Sequence, residues 1–510
     1  MNAKYWNILM PLLLSMVLVI GMYLGIHLQK SEPTIILNDI ENNQPLGNSL
    51  DEIIRYIDAK YVDTVSIDTL QNEAIQSIVE KLDPFSTFIP SNELEETNDE
   101  LDGDFVGIGV DYNMLRDTMI LIHIFKNGPA EKAGLKTGCK ILEINNTPVA
   151  GKKFNKDSLL SKIRGAEGSS LTMNVLFPNN EKKNLELVRK EIKSSSIDAA
   201  YMLNNEMCYV KIEAFTENTY TEVMDQLDKY HNSNKFKHLV IDLRNNHGGF
   251  LQQATKLLNQ FFNEKDKMLV YTKGRSKNQT EYKSTGKPFY QIDKIYVLVN
   301  SESASASEIV AGALQDWDRG KIIGEKTFGK GLVQEQYELM NGAALRLTTA
   351  KYYTPSGRCI QKPYDQLYSV NSQNNSKEVF KTSSGRTVYG GGGITPDILI
   401  SEDTATIYAF YDNYYEVMKD ACLDYFLKSN IKELKSIDDI ENNNTATNYI
   451  KNAVLNNKNI KDKKLLQSPK MSKYLDINIK SYLADLILGK NASYQILNKQ
   501  DPYILKVLEN

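Results

Sequence analysis

Two short apolar runs, HLVIDL (His238–Leu243) and KIYVLV (Lys294–Val299), constrain this chain most. Each reads as a buried strand, and each is followed by residues at helical spacing. Strand-like runs alternate with helical patterns from Met202 to Ile400. That alternation predicts an α/β core. The flanks read differently. Apolar residues recur at helical spacing from Leu50 to Leu82, and LDPFSTFIP (Leu82–Pro90) then breaks the helix. A β-rich stretch runs from Gly103 to about Ile192. After Ser401 the chain is rich in Lys and Asn with long helical patterns. The expected segments are therefore 31–47 as a linker, 48–102 helical, 103–192 β-rich, 193–402 as the α/β core and 403–510 helical.

Residues 1–30 stand apart. Ile8–Leu28 is a run of 21 residues without Asp, Glu, Lys or Arg. As a helix it would span about 30 Å, the thickness of a bilayer core. It has no small-residue cleavage site and no Cys, so it reads as an anchor in preference to a cleaved signal. The remainder is expected outside the cytoplasm. The 510 residues carry 60 Lys plus Arg against 64 Asp plus Glu, which gives no electrostatic reason to expect nucleic acid. Four scattered cysteines without a CxxC exclude a disulfide scaffold and a zinc knuckle. Five histidines without HExxH leave a metallopeptidase little to stand on.

Within the β-rich stretch, GDFVGIGV (Gly103–Val110), NGPAEKAGLKTGCKILEINNTPVAG (Asn127–Gly151) and the IRG of Ile163–Gly165 follow in order. This set resembles a PDZ domain. Such a module presents backbone N–H groups from a Gly-rich loop to a terminal carboxylate, and the peptide adds as a strand. The matching loop is Val106, Gly107, Ile108 and Gly109, and Val106 and Ile108 suit apolar C-termini. Cys139 stands where the resemblance leads one to expect Asp, a structural departure. Arg164 is either a gating contact or a surface turn residue.

The richest stretch is NSESASASEIVAGALQDWDRGKIIGEKTFGKGLVQ (Asn300–Gln334). Serine at a strand-to-helix junction sits beside unpaired helix N–H groups, which favour a developing oxyanion. The same serine also makes an ordinary N-cap, so SASAS alone decides nothing. The whole segment, however, resembles the C-terminal processing peptidases, the tail-specific serine proteases. IDLRNNHGG (Ile241–Gly249), RLTTAKYYTPSGRCIQ (Arg346–Gln361), GGGGITPDI (Gly390–Ile398) and LDPFSTFIP extend the resemblance over about residues 50–400. It implies a crotonase-like α/β protease core with an inserted PDZ domain. It also implies a Ser–Lys dyad of Ser305 and Lys330, with Gln334 positioning the lysine. Gly248 and Gly249 fall in the oxyanion region, and Asp316 is a supporting residue.

The chemistry suits these residue types. Serine needs an adjacent base. Lysine serves only when neutral, and burial lowers its pKa. A Gln can hold a neutral amine without adding the negative charge that would favour the ammonium. Two rival readings are weaker on the residues. GEKTFGKG nearly matches a P-loop, but Gly331 replaces the Mg²⁺-binding hydroxyl and a strand-like run follows. A Ser305–His247–Asp242 triad is conceivable, yet His247 takes the position of a Pro in the resembling motif.

The expected activity is cleavage of protein substrates at or near their C-termini, without metal or nucleotide. The PDZ domain would capture the tail and gate the site. The competing expectations are a membrane-tethered PDZ scaffold without catalysis and an enzyme dependent on an adaptor protein. A homodimer is a further expectation of the resemblance.

Overall fold

The computed structural model describes residues 47–510 apart from 155, 235, 276–278, 365–377, 402 and 461. The apolar run Ile8–Leu28 lies outside the described residues. Among those residues no helix is long and apolar enough to cross a membrane. The chain divides into two compact units between Ile75 and Gln76. The helical spacing of Leu50–Leu82 resolves into helices Gly47–Lys60 and Ile67–Val79. LDPFSTFIP does more than end a helix: Thr87–Ile89 becomes a strand paired with Ala344–Arg346.

The β-rich stretch forms an antiparallel sheet in the order Val110–Leu115, Thr118–Ile124, Lys140–Ile144, Ser170–Leu176, Lys182–Val188. Val110–Leu115 is an edge strand, and helix Lys156–Ile163 packs its Leu159 and Ile163 into the sheet's core. Asp104–Gly107 pairs with Lys190–Lys193 and closes the segment on itself. Cys139 is fully buried in this core, a packing role.

The α/β core is a six-stranded sheet whose spatial order is its chain order. It comprises β1 (Ile197–Asn204), β2 (Met207–Ile212), β3 (His238–Asp242), β4 (Lys294–Val299), β5 (Lys321–Gly324) and β6 (Ile398–Leu399). β1 and β2 form a hairpin, and every later pair is parallel. Alternation within the strands explains their unbroken apolar sequence. Leu239 and Ile241 of β3, with Ile295, Val297 and Val299 of β4, face helices α1 (Thr219–Asn234), α2 (Leu251–Leu258) and α3 (Ala306–Asp316). Val240, Tyr296 and Leu298 face the other way, against Tyr503, Ile504 and Val507.

A second sheet forms around strand Ala344–Tyr353, which pairs with Leu332–Glu338 and with Lys265–Gly274. Beyond Thr404 the chain is helical, including α4 (Tyr415–Lys428), α5 (Pro469–Leu488), α6 (Lys490–Asn498) and α7 (Pro502–Leu508). α4 and α5 build a core that also takes in Leu115 and Ile120 of the antiparallel sheet. α6 reaches β1 through the Lys490–Asp198 pair at 2.5 Å and through Asn491 Oδ1, which accepts the Ala200 N–H at 2.7 Å.

Candidate active site

Ligands of parallel sheets bind beyond the carboxyl ends of the strands. Three loops leave that edge here, after Asp242, Val299 and Gly324. They carry every residue of the predicted constellation except Gln334, which lies in the next strand, and Asp316.

The serines of SASAS have separate roles. Ser303 and Ser307 are fully buried; their hydroxyls donate to Leu243 O at 2.8 Å and Asn246 O at 3.0 Å. Ser305, between them, is the N-cap of α3 with φ 53 and ψ −114. A non-glycine residue in that region is strained, a feature concentrated at functional sites. Only Gly is tolerated opposite it. Gly248 has φ 102, and a Cβ there would stand 2.7 Å from Ser305 Cβ and 3.0 Å from Ala306 N.

Asn246 stitches the loop after β3 to this turn. Its Nδ2 donates to Ile212 O at 2.9 Å, and its carbonyl accepts from Ala304 N at 3.0 Å. Its Oδ1 accepts the Gly248 N–H at 2.8 Å. The Gly248 N–H is therefore engaged, and its missing Cβ leaves room for the Ser305 turn. The N–H groups of Gly249 and Ala306 have no acceptor among the described residues. Ala306, at the first position of α3, was not legible as a donor.

Lys330 is half-buried, and its Nζ donates to Gln334 Oε1 at 2.7 Å. Among the described residues no carboxylate pairs with Nζ. Gln334 Nε2 in turn donates to Phe85 O at 2.6 Å. The Phe85 ring lies 4.7 Å from Nζ, with Phe328 and Tyr364 each edge-on to it at 6.5 Å. Asp83 fastens this turn by accepting from Phe85 N and Ser86 N at 2.8 Å. Burial pushes the Lys330 ammonium below its usual range and nearby Arg346 adds to this, with Asp83 and Glu308 pulling back. LDPFSTFIP thus belongs to the site, and its sequence alone did not show this.

Glu308 joins both halves. It is fully buried; Oε2 accepts Ser305 N at 3.0 Å and Lys330 N at 2.8 Å, and Oε1 accepts Gly329 N at 2.8 Å and Thr327 Oγ1 at 2.5 Å. Burial pushes its carboxyl up to about 7, against these four donors. The S-x-x-E spacing of a capping box was its signal in the sequence. Tyr352 adds a second tie, its hydroxyl donating to Lys330 O at 2.7 Å and Ser305 O at 3.1 Å.

The remaining expected residues lie apart. Asp316 ends α3, about 16 Å from Ser305 along the helix. It is buried in an ion pair with Arg358 at 2.7 Å and accepts Ser356 N at 3.0 Å. His247 is 75% exposed beside Glu302, and Asp242 is taken by Arg244 and Tyr209, so no Ser–His–Asp triad assembles. In the 106–109 loop, Val106 and Gly107 are in a strand pair with Lys190–Glu191. Ile108 is fully buried in the module's core, and its carbonyl accepts Ala130 N at 2.9 Å. Its side chain therefore does not line an open pocket. Gly109 has φ 75, and its carbonyl accepts Phe125 N at 3.0 Å. Arg164 pairs with Glu96 at 2.8 Å.

A strained serine at a helix N-terminus, two unpaired backbone donors and a half-buried lysine are parts that suit a serine peptidase. Comparison with known proteins gives the same class. Residues 206–366 match the profile of peptidase family S41, and residues 98–176 match the PDZ domain. A probable CtpA-like serine protease of Staphylococcus epidermidis is 30% identical over 66% of this chain and 70% of its own length. One of Staphylococcus aureus is 32% identical over 61% of this chain and 62% of its own. A solved photosystem II D1 C-terminal processing protease is 24% identical over 69% of this chain and 92% of its own, with a TM-score of 0.38. The chain belongs to peptidase family S41. It is a serine protease that carries a PDZ domain and is similar to the CtpA-like proteases.

Proposed function

We propose that this protease uses a Ser305–Lys330 dyad to cleave protein substrates at or near their C-termini. The observation that carries this reading is the pairing of a strained Ser305 with a half-buried Lys330 through one shared carboxylate, Glu308. Ser305 Oγ attacks the peptide carbonyl and Lys330 Nζ takes its proton. Gln334 Oε1 orients the amine without fixing it as an ammonium. The N–H groups of Gly249 and Ala306 receive the oxyanion. Lys330 then returns the proton to the leaving amine, and water hydrolyses the acyl-enzyme.

The domain reading that accompanies this is a PDZ domain over 103–192, inserted before a crotonase-like core over 193–402, with helical regions at 48–102 and 403–510. The PDZ domain takes an apolar substrate tail as a strand on the edge Val110–Leu115 and gates the site. The apolar run Ile8–Leu28 holds the enzyme at a membrane with its catalytic part outside the cytoplasm. An adaptor and a homodimer are compatible with this arrangement.

The test compares wild type, Ser305→Ala and Lys330→Ala on an unstructured protein ending in apolar residues, with products read by mass spectrometry. Cleavage lost in both variants supports the dyad. Cleavage surviving Ser305→Ala sinks it. Tail binding without cleavage by wild type favours the scaffold or adaptor-dependent reading.

A further inference from the structure

The loop after β3 is held from behind. Arg244 donates through Nε and Nη2 to Asp242, at 3.0 and 2.6 Å, and through Nη1 to Asp501 Oδ2 at 2.6 Å. Its guanidinium also lies over the Tyr503 ring at 4.5 Å. Asp242 is buried and takes a further bond from Tyr209 OH at 2.7 Å, while Lys211 Nζ donates to Arg244 O at 2.5 Å. Burial would raise the Asp242 carboxyl, yet Arg244 and Lys211 outweigh it and hold it at about 2. Arg244 thus stands fixed four residues before Gly248.

Asp501 and Tyr503 belong to α7, in the stretch of the chain that carries no recognisable motif. Asp501 is its N-cap, with Oδ1 accepting Tyr503 N at 2.8 Å. Tyr503 is fully buried and reaches a second catalytic loop. A Cβ on Gly324 would lie 2.7 Å from Tyr503 Cε1, and Gly324 opens the segment that leads to Lys330. One short helix therefore touches the roots of two of the three loops of the site, on the face of the sheet opposite α1–α3.

We propose that α7 is a positioning element for the reaction: Asp501 and Tyr503 fix, through Arg244 and Gly324, the loops that carry the Gly249 donor and the Lys330 base. This inference rests on the dyad reading above. It assigns a task to residues 501–507 that sheet packing alone does not require. An apolar helix would cover Val240 and Leu298 equally well, without a carboxylate aimed at Arg244. Misplacement of a loop by about 1 Å can cost on the order of 100-fold in rate.

The experiment uses the full chain and the unstructured protein substrate with an apolar tail. kcat and KM are taken per active serine, counted with an acylating reagent. Asp501→Asn keeps an oxygen for the helix cap and removes the charge facing Arg244. It is expected to lower kcat by about 10- to 100-fold with KM within about twofold. Its thermal midpoint should stay near wild type, and Asp501→Glu should recover part of the rate. Tyr503→Leu keeps apolar cover and loses the ring under Arg244; it should show the same split, and it carries the test if Asp501→Asn fails to fold. Wild-type kcat per active serine in whichever of the two folds would overturn the proposal. So would a loss explained wholly by fewer active serines. Ser305→Ala runs alongside: cleavage that survives it removes the dyad reading and this inference together. Cleavage that needs Ser305 but ignores Asp501 and Tyr503 removes this inference alone.

Discussion

Glu308 is the carboxylate through which Ser305 and Lys330 are tied. Its Oε2 accepts the backbone N–H of Ser305 at 3.0 Å and that of Lys330 at 2.8 Å. The bond to Ser305 fixes the start of α3, and the bond to Lys330 fixes a loop more than twenty residues later in the chain. The separation of Ser305 and Lys330, the proposed nucleophile and base, is therefore held by a group that bonds only their main-chain N–H groups.

Replacing Glu308 by Gln tests this. The amide offers one acceptor oxygen where the carboxylate offers two, and its NH2 would face two N–H or O–H donors. Leaving a buried donor unpaired costs about 1–3 kcal/mol. Glu308→Gln is expected to lose that much stability in urea unfolding and, in addition, at least about 100-fold in kcat per folded molecule, the scale of a lost oxyanion donor. Activity falling only in step with the folded fraction would mean that Glu308 is purely structural.

The pH dependence follows from Lys330. Burial lowers its pKa, so the neutral base appears at lower pH than for a free lysine. Activity should rise with pH as Nζ loses its proton, and Lys330 sets the acid limb of kcat/KM. Gln334→Glu puts a carboxylate where the amide oxygen stands 2.7 Å from Nζ. That charge favours the ammonium, so the acid limb should move to higher pH by about one to three pH units. The activity lost at neutral pH should then return at alkaline pH. An unmoved acid limb would show that another group controls it.

What the sequence disclosed divides along physical lines. β3 and β4 were legible because a strand covered on both faces keeps apolar residues on both, as in Leu239–Ile241 and Ile295–Val299. The Ser305 and Lys330 segments stood out through their resemblance to the tail-specific proteases, since SASAS alone reads equally as an N-cap. Asn246, Glu308 and Phe85 were harder to find. Asn246 bonds the main chain of Ile212 and Gly248, and Phe85 holds Gln334 through its carbonyl; contacts to main-chain groups leave little trace in side-chain pattern. Arg244 and Asp501 are 257 residues apart, and only the closed sheet brings them to 2.6 Å. The loop of Gly248 was legible from its paired glycines, but the bond of its N–H to Asn246 and the room that its missing Cβ leaves for Ser305 were not.

Asp316 offers a contrast with Glu308. Its carboxylate pairs with Arg358, and both side chains are almost fully buried. Removing one partner of such a pair leaves a charge stranded in low dielectric and costs about 3–5 kcal/mol. Asp316→Ala should therefore lower stability on that scale and lose activity through the folded fraction. The kcat of the molecules that still titrate with an acylating reagent should stay close to wild type. A large fall in kcat per titrated serine would give Asp316 a part in the chemistry that its place at the far end of α3 does not suggest.

His123 couples the PDZ sheet to the helical region. Its Nε2 stands 3.1 Å from Asp485 Oδ2 of α5. The hydrogen bond to Asp485 raises its pKa, with burial opposing and the charges of Asp485 and Asp111 adding to the rise. The folded pKa thus lies above the unfolded value of 6.5. The stabilisation is complete below 6.5 and is lost as pH rises through the folded pKa. The pair is partly exposed, so solvent screening keeps the effect small. His123→Gln keeps a polar contact to Asp485 and cannot charge. Its thermal midpoint should fall below wild type at pH 5.5 and meet it at pH 8.5. A constant gap between the two proteins across that range would mean that the His123–Asp485 contact is held by packing and that its charge contributes nothing.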